Sequence, residues 1–480
     1  MPAENISSLS QTEAVLMPEA VTTAEHDHLV SVFGKGGKGK VVGFFGGTLG
    51  DTIPGISAMK IVQDQGYSVQ ALLTKDSYSG AFAQEMDVPF VSLSFSFQEI
   101  LGKMGDLGMF EHVLPMFTKG GKLIDPASLT QSLTETLALF AGIKADLGES
   151  GFIVAAHNYI PDLLFGKAIN SAVTAEMLMS ANVFTDPGVQ GTNFEVLKIP
   201  HAPQVSTVLN KALLKMLSGQ LDGQLGRKSW ANVAAEAKIG LQGSKYRPAH
   251  LSSMYFQSPL SMRATGANFV GYPFQEKFRP LPEETKNWLQ EKRDQGIEIC
   301  LVSTGSIPTK WEQMIEMTSK IAHEPERKRA MLYLGGWRSD SQQLADPLLH
   351  FANGVVDYSA LTEYVSTVVG AGGVGMTAYF AAAGIPIIWA TVFPDQASVA
   401  KIQQAQLQRV TGDMRLKTSA ITSNKFNYDW LLEQMSYVDQ PYVRAAYKAY
   451  ASWLKQFNTP EMIVNTFEQS LLRAFPIQHK

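Results

Sequence analysis

Hydrophobic positions along the chain fall into short, β-branched runs separated by longer amphipathic stretches. That pattern belongs to parallel strands buried on both faces and alternating with helices. Lys40–Phe45 is the first such run, a helix is predicted from about Ile56 to Gln65, and Tyr67–Thr74 predicts the second strand. Val88–Leu93 and Gly151–Ala156 repeat the motif, while residues 192–248 read as helical and irregular. Met254–Ser258 and Ala267–Val270 read as short strands, and Pro273, Pro280 and Pro282 in a polar setting mark a domain boundary. A second alternation follows. It has strands at Ile297–Val302, Ala330–Leu334, Val355–Val356, Val365–Val369 and Ile385–Ala390, with helices at Trp311–Ala322 and Thr377–Ala383. An amphipathic helix, Pro460–Phe475, ends the chain. The order predicts two doubly wound α/β domains, residues 40–275 and 276–456, preceded by a polar, flexible tail of residues 1–39.

Tyr364–Gln396 carries the most chemistry. Its apolar strand runs into Gly370, Gly372, Gly373 and Gly375, then a helix, a second strand and the pair Asp395–Gln396. A glycine turn feeding a helix N-terminus leaves backbone N–H groups converging on one spot, where the helix dipole favours negative charge. Such a spot suits phosphate, and its amides extend through Gly372, Gly373, Gly375 and Met376. An acid beside an amide, at the carboxyl edge of the same sheet, suits a polyol, because each can engage several hydroxyls. Together they suggest a nucleotide sugar. The spelling Gly370-x-Gly372-x-x-Gly375, with Asp395 about twenty residues on, also matches a dinucleotide fingerprint. A dinucleotide-dependent oxidoreductase is therefore the enzymatic alternative.

Composition narrows the classes. The 480 residues are 45% hydrophobic and 18% charged, as in a globular protein with a sizeable core. A net charge of −4 gives no basic face for nucleic acid. Cys300, the single cysteine, lies in an apolar run, so no disulfide framework exists and a core thiol is expected. No apolar stretch reaches the length of a membrane span and no secretory signal is visible, which predicts a cytoplasmic protein. Peripheral contact with a membrane stays open. Gly34–Lys40 imitates a phosphate loop, but Val41 stands where Ser or Thr is required, so the segment reads as linker; His26 and His28 are expected to be solvated.

Other candidates sit after strands. The loop Gly46-Gly47-Thr48-Leu49-Gly50-Asp51 places Asp51 beyond the first strand, where a carboxylate could accept a proton from an attacking hydroxyl or simply cap the next helix. Ser303-Thr304-Gly305-Ser306 occupies the matching loop of the second domain, and Trp337 ends its next strand. His157 follows the run ending at Ala156. No Asp-x-Asp occurs, so no metal-bridged diphosphate site is expected, and no cofactor is implied.

The order of GGTLGDTIP, FIVAAHNYIPD, GYPFQEKFRPLPEETKNWL, CLVSTGS, LYLGGW, GAGGVGMT and FPDQ resembles the bacterial and sterol-type members of glycosyltransferase family 1 over most of residues 40–475. That resemblance implies a GT-B fold, two Rossmann-like domains facing across a cleft, with the last helix (residues 457–480) packing back on the first. It implies inverting, metal-independent transfer of a sugar from a UDP- or dTDP-sugar to a hydroxyl of a small, largely apolar acceptor such as a natural product, sterol or lipid, by a monomer or homodimer. Position by position, Asp51 falls on the family's catalytic base and Asp395 and Gln396 on the pair that holds sugar hydroxyls; Thr48 and His157 are acceptor-side candidates from their places after strands. Gly305 and Ser306 match the loop beside the diphosphate and Gly372, Gly373 and Gly375 the cradle; Tyr358 and Ser359 stand in for the loop that contacts the nucleobase, and Trp337, from its place after a strand, is a further donor-side candidate. The family usually spells its cradle with two histidines before the double glycine; Gly370 and Ala371 stand there in this chain. Loss of that charge-assisted donor leaves open a degenerate homologue acting as a non-catalytic partner.

Overall fold

The computed structural model describes residues 20–37, 39–45, 49–75, 77–93, 152–156, 173–178, 249–253, 268–270, 272–274, 280–303, 305, 311–325, 328–334, 346–352, 356–391, 394–422, 425–457, 459–474 and 477. The chain divides into two compact units, one reaching Pro273 and regaining the chain from Phe457, the other running from Phe274 to Gln456.

The first unit opens with helix α1 (Thr23–Phe33). Strand β1 (Val41–Phe45) follows, then α2 (Leu49–Asp64), β2 (Val69–Leu73), α3 (Ser77–Glu85) and β3 (Phe90–Ser92). The remaining described strands are β4 (Phe152–Ala156), β5 (Val173–Leu178), β6 (Ala249–Ser253) and β7 (Asn268–Val270). They form one parallel sheet in the order β3-β2-β1-β4-β5-β6-β7.

The second unit contains α4 (Glu283–Asp294), β8 (Glu298–Ser303), α5 (Trp311–Ala322), β9 (Arg329–Leu334) and β10 (Leu349–Ala352). It continues with α6 (Tyr358–Leu361), β11 (Val365–Gly370), α7 (Val374–Ala382), β12 (Ile387–Thr391), α8 (Pro394–Thr411), β13 (Ser419–Thr422), α9 (Tyr428–Val438) and α10 (Pro441–Leu454). Its parallel sheet runs β10-β9-β8-β11-β12-β13, the strand order of a doubly wound nucleotide-binding fold. Alternate residues explain the burial. Cys300, Val302, Met331, Tyr333, Val369, Ile388 and Ala390 join one core with Met314, Ile321, Leu431 and Met435 of α5 and α9. Their neighbours Leu301, Leu332, Val368 and Ile387 are fully buried as well, so the strands have no polar face. Burial pushes the Cys300 thiol up to about 12, as the core reading of that residue requires.

The last helix, α11 (Pro460–Ala474), packs on α1, α2, β5, β6 and β7 of the first unit. Part of the expected flexible tail is instead structured. Thr22 caps α1 through a reciprocal pair with Glu25, and Leu29 and Phe33, one turn apart, are fully buried. His26, expected in solvent, places Nδ1 2.6 Å from Oε1 of the buried Glu468 on α11, and the Tyr67 hydroxyl donates to the same oxygen at 2.7 Å. Gly34 pairs with Tyr67 in an antiparallel bridge, so the glycine-lysine segment is tied down where it joins α1. Two further expectations shift. Helix α2 starts at Leu49, not near Ile56, and takes Pro54 inside it; the ring's fixed φ is helical, but the Gly50 carbonyl four residues earlier loses its helical donor. Val356 lies outside any strand; the edge strand comes earlier, at Leu349–Ala352.

Candidate functional site

In a sheet of this order ligands bind beyond the carboxyl ends of the strands, where the order reverses. In the second unit that point lies between β8 and β11. The register aligns Ser303 with Gly370 and Gly370 with Trp389, so β8 and β11 end together while β12 continues to Thr391. From these ends leave the 303–305 turn, the glycine turn and the connection to α8.

The four glycines of the turn play different parts. Gly370 lets the strand end approach its neighbours: a Cβ there would lie 2.6 Å from the Ser303 carbonyl oxygen and 2.8 Å from Met376 Cε. Gly372 has φ +82°, and a Cβ on it would overlap the six-membered ring of Trp389, which is fully buried. The indole N–H of Trp389 has no hydrogen-bond partner, a cost of about 1–3 kcal/mol that its shape must offset. By contrast, Gly373 faces open space. It is the N-cap of α7 and offers no side chain to the first turn. The Thr377 N–H donates to Gly373 O at 3.0 Å and is the first to close a helical turn on that cap. The N–H groups of Val374, Gly375 and Met376 therefore precede the helical ladder, as an anion site at a helix start requires.

Across the switch point, Gly305 has φ +72° and also meets nothing within 4 Å of its missing Cβ. Its N–H donates to Ser303 Oγ at 3.1 Å. Asp395 and Gln396 are the second and third residues of α8, and Gln396 is buried. Tyr358 and Ser359 open the short α6, capped by Asp357, whose carboxylate accepts the Ser359 N–H at 2.9 Å. The Tyr358 ring packs near Tyr379 and Phe380 of α7, with centroids 6.3 and 5.6 Å away. Burial raises the Tyr358 phenol, and the polar Ser303 side chain opposes that rise.

Asp51 is the third residue of α2, in its first turn rather than at the N-cap. Thr48, His157, Ser306 and Trp337 lie outside the described residues. One participant escaped the sequence reading: Trp389 looked like one more apolar strand residue, and only the register and the glycine overlap mark it. Ser303, expected in the loop after the strand, is instead the last residue of β8. A surface depression of about 640 Å³ lies instead at the amino-terminal edge of the same sheet. It is lined by Lys320, His323, Glu324 and Tyr428. Its charges are already engaged, His323 with Asp346 at 2.6 Å and Tyr428 with Glu324.

No protein-family model matches the chain, and no curated protein matches it in sequence. Solved structures do match over almost their whole length. The glycosyltransferase SnogD from Streptomyces nogalater superposes with a TM-score of 0.53 at 13% identity, covering 88% of this chain and 97% of that one. The calicheamicin glycosyltransferase CalG4 gives 0.55 at 12%, covering 91% and 99%. SsfS6, a Streptomyces sp. SF2575 glycosyltransferase complexed with thymidine diphosphate, gives 0.53 at 15%, covering 89% and 99%. The fold is GT-B. Within this GT-B chain the glycine fingerprint follows β11, the fourth strand of its unit. A dinucleotide site would place it after the first, which is β8. Among the described residues no helix is long and apolar enough to cross a membrane, and no three His, Cys, Asp or Glu side chains cluster as metal ligands.

Proposed function

We propose that the chain is an inverting glycosyltransferase, taking the sugar of a UDP- or dTDP-sugar to a hydroxyl of a small, largely apolar acceptor. The observation that carries this reading is the open pair Gly305 and Gly373 at the β8/β11 switch point, beside the unladdered first turn of α7. Backbone amides there are fixed in advance and need no reorganisation as charge grows on the leaving diphosphate. Asp395 and Gln396, on the first turn of α8, suit the sugar hydroxyls. The near full-length likeness to glycosyltransferases, one of them complexed with thymidine diphosphate, supports the same donor class.

In the reaction the acceptor oxygen attacks the anomeric carbon and forms the new C–O bond. The bond from that carbon to the β-phosphate oxygen breaks, its electron pair leaves with the nucleoside diphosphate, and Asp51 takes the acceptor proton. A carboxylate is a weak base at neutral pH, so it receives the proton as the C–O bond forms rather than before. The absence of an Asp-x-Asp motif fits transfer without a divalent ion. Calorimetry against a panel of UDP- and dTDP-sugars, followed by mass spectrometry with hydroxylated apolar acceptors in the presence of a chelator, tests each element. Failure to bind any donor or nucleoside diphosphate sinks the reading. Binding without transfer to any acceptor favours the non-catalytic partner instead.

A further inference from the structure

Helices α8 and α10 of the second unit carry a ladder of paired side chains where they meet. The Tyr447 hydroxyl donates to Gln403 Oε1 at 3.2 Å. One step on, the Tyr450 hydroxyl donates to Gln406 Oε1. A third step sets the Arg409 guanidinium over the Trp453 ring, 4.8 Å from its centroid. Each step advances three residues on both helices, and the hydrogen-bonded partners stay 44 residues apart, so the two helices run parallel in one register. Gln403, Gln406, Tyr447 and Tyr450 are all buried. Such groups are a costly way to hold two helices together, since Gln403 Nε2 is buried without a partner and apolar residues of the same shape would avoid that cost. What they add is register, because a helix that slides or turns loses a buried hydrogen bond outright.

The ladder reaches the proposed donor site through two short helices. Gln396 lies two turns, about 10 Å, before Gln403 on the same face of α8, with Val399 and Ala400 buried between them. Helix α7 ends against the same stretch of α10. Gly384 follows α7 with φ +74°, and a Cβ on it would lie 3.2 Å from Lys448 Cα and 3.4 Å from the Tyr447 carbonyl oxygen. Residues 447–451, one turn of α10, therefore meet both helices whose first turns make up the proposed site.

We propose that the Gln403–Tyr447 and Gln406–Tyr450 rungs are positioning residues for the donor sugar: through α10 they fix where the first turn of α8 stands relative to that of α7. The proposal rests on the donor-site reading above. A nucleoside diphosphate needs only the α7 turn, whereas a nucleotide sugar must reach Asp395 and Gln396 as well. The ladder therefore acts on the affinity that the sugar adds.

The test is calorimetry on the full chain, comparing dTDP and UDP with the UDP- or dTDP-sugar that the wild type binds best, with melting temperatures in parallel. Tyr447→Phe should lower affinity for the nucleotide sugar about tenfold and affinity for the nucleoside diphosphate less than about threefold. Tyr450→Phe should act in the same direction. Adding Gln403→Met to Tyr447→Phe removes the stranded amide, so the melting temperature should recover. The sugar's affinity should stay low, because nothing replaces the lost register. That double variant also decides the matter if Tyr447→Phe does not fold, since its rung keeps no lone polar group. An unchanged ratio of the two affinities, or equal losses in both, overturns the proposal and leaves the glycosyltransferase reading standing. Recovery of the sugar's affinity together with the melting temperature overturns it as well, because packing alone would then account for both. A wild-type chain that binds no nucleotide sugar overturns the proposal and the reading beneath it.

Discussion

The two units share one strand order around their switch points and use their glycines for opposite ends. In the first, Gly43 on β1 and Gly55 on α2 both lie against the ring of Phe45, which is fully buried; a Cβ on either would run into it. The glycines there make room for a side chain, so strand and helix close on each other. In the second, Gly370 and Gly372 do the same for Met376 and Trp389, but Gly373 and Gly305 face nothing. On the proposed reading the first unit contributes a carboxylate, Asp51, and the second contributes bare backbone. The proposed function assigns acceptor activation to the first unit and the diphosphate to the second.

The largest effect should come from the first of these. Asp51→Asn is expected to lower turnover by about a hundred- to ten-thousandfold, while nucleoside diphosphate affinity and melting temperature stay near wild type. Steady-state kinetics beside calorimetry measures both. Near-normal turnover would remove Asp51 from the mechanism and end the division of labour. Next, Gly372→Ala should destabilise the chain by about 2–4 kcal/mol, because it combines the overlap with Trp389 and a positive φ. Gly55→Ala meets a comparable overlap with Phe45 on ordinary helical backbone and should cost about 1–3 kcal/mol. Urea titrations rank the pair, and the reverse order would mean that Trp389 yields more easily than Phe45. Gly373→Ala separates packing from binding. Its φ of −59° accepts alanine and nothing crowds the new methyl group, so stability should change by less than about 1 kcal/mol. Affinity for dTDP or UDP should fall about tenfold as the methyl enters the ligand's space. Unchanged affinity would show that the diphosphate lies elsewhere.

How much of this was legible depended on whether a residue's role is local. The glycine turn, its helix and the Asp395–Gln396 pair could be read because glycine spacing and strand ends are written in consecutive residues. Strand β5, by contrast, interleaves Thr174 and Glu176 with its apolar residues, and β13 begins with Ser419 and ends with Thr422; neither gives an apolar run. Helix α1 carried a signal that was passed over, Thr22 with Glu25 three residues on and Leu29 four before Phe33. What no local pattern could supply was partnership across sequence. His26 meets Glu468 some 442 positions away, and the Ser303 carbonyl accepts the Ala371 N–H across the switch point.

The smallest predicted effect separates the units at their edges. On β10, the edge strand of the second sheet, His350 is buried, stacks on Trp288 at 5.1 Å and shares a 2.9 Å hydrogen bond through Nε2 with Thr285 Oγ1. Burial holds its pKa below the ordinary histidine value, with Glu284 opposing weakly. The folded chain therefore resists a proton that the unfolded chain accepts near pH 6.5. Above that pH both states are neutral at this site and it exerts no pH dependence. As pH falls from there toward the depressed folded value, the unfolded state binds the proton first and stability declines. The matching edge strand of the first unit, β3, is Phe90-Val91-Ser92 and has no group that titrates in this range. Melting temperatures between pH 7.5 and 5 should fall less steeply for His350→Gln, which keeps a hydrogen-bonding group toward Thr285 without the charge. Hydrogen exchange over the same range should show α4 and β10 loosening before β3. Equal slopes for variant and wild type would place the acid sensitivity elsewhere and leave the two edges alike.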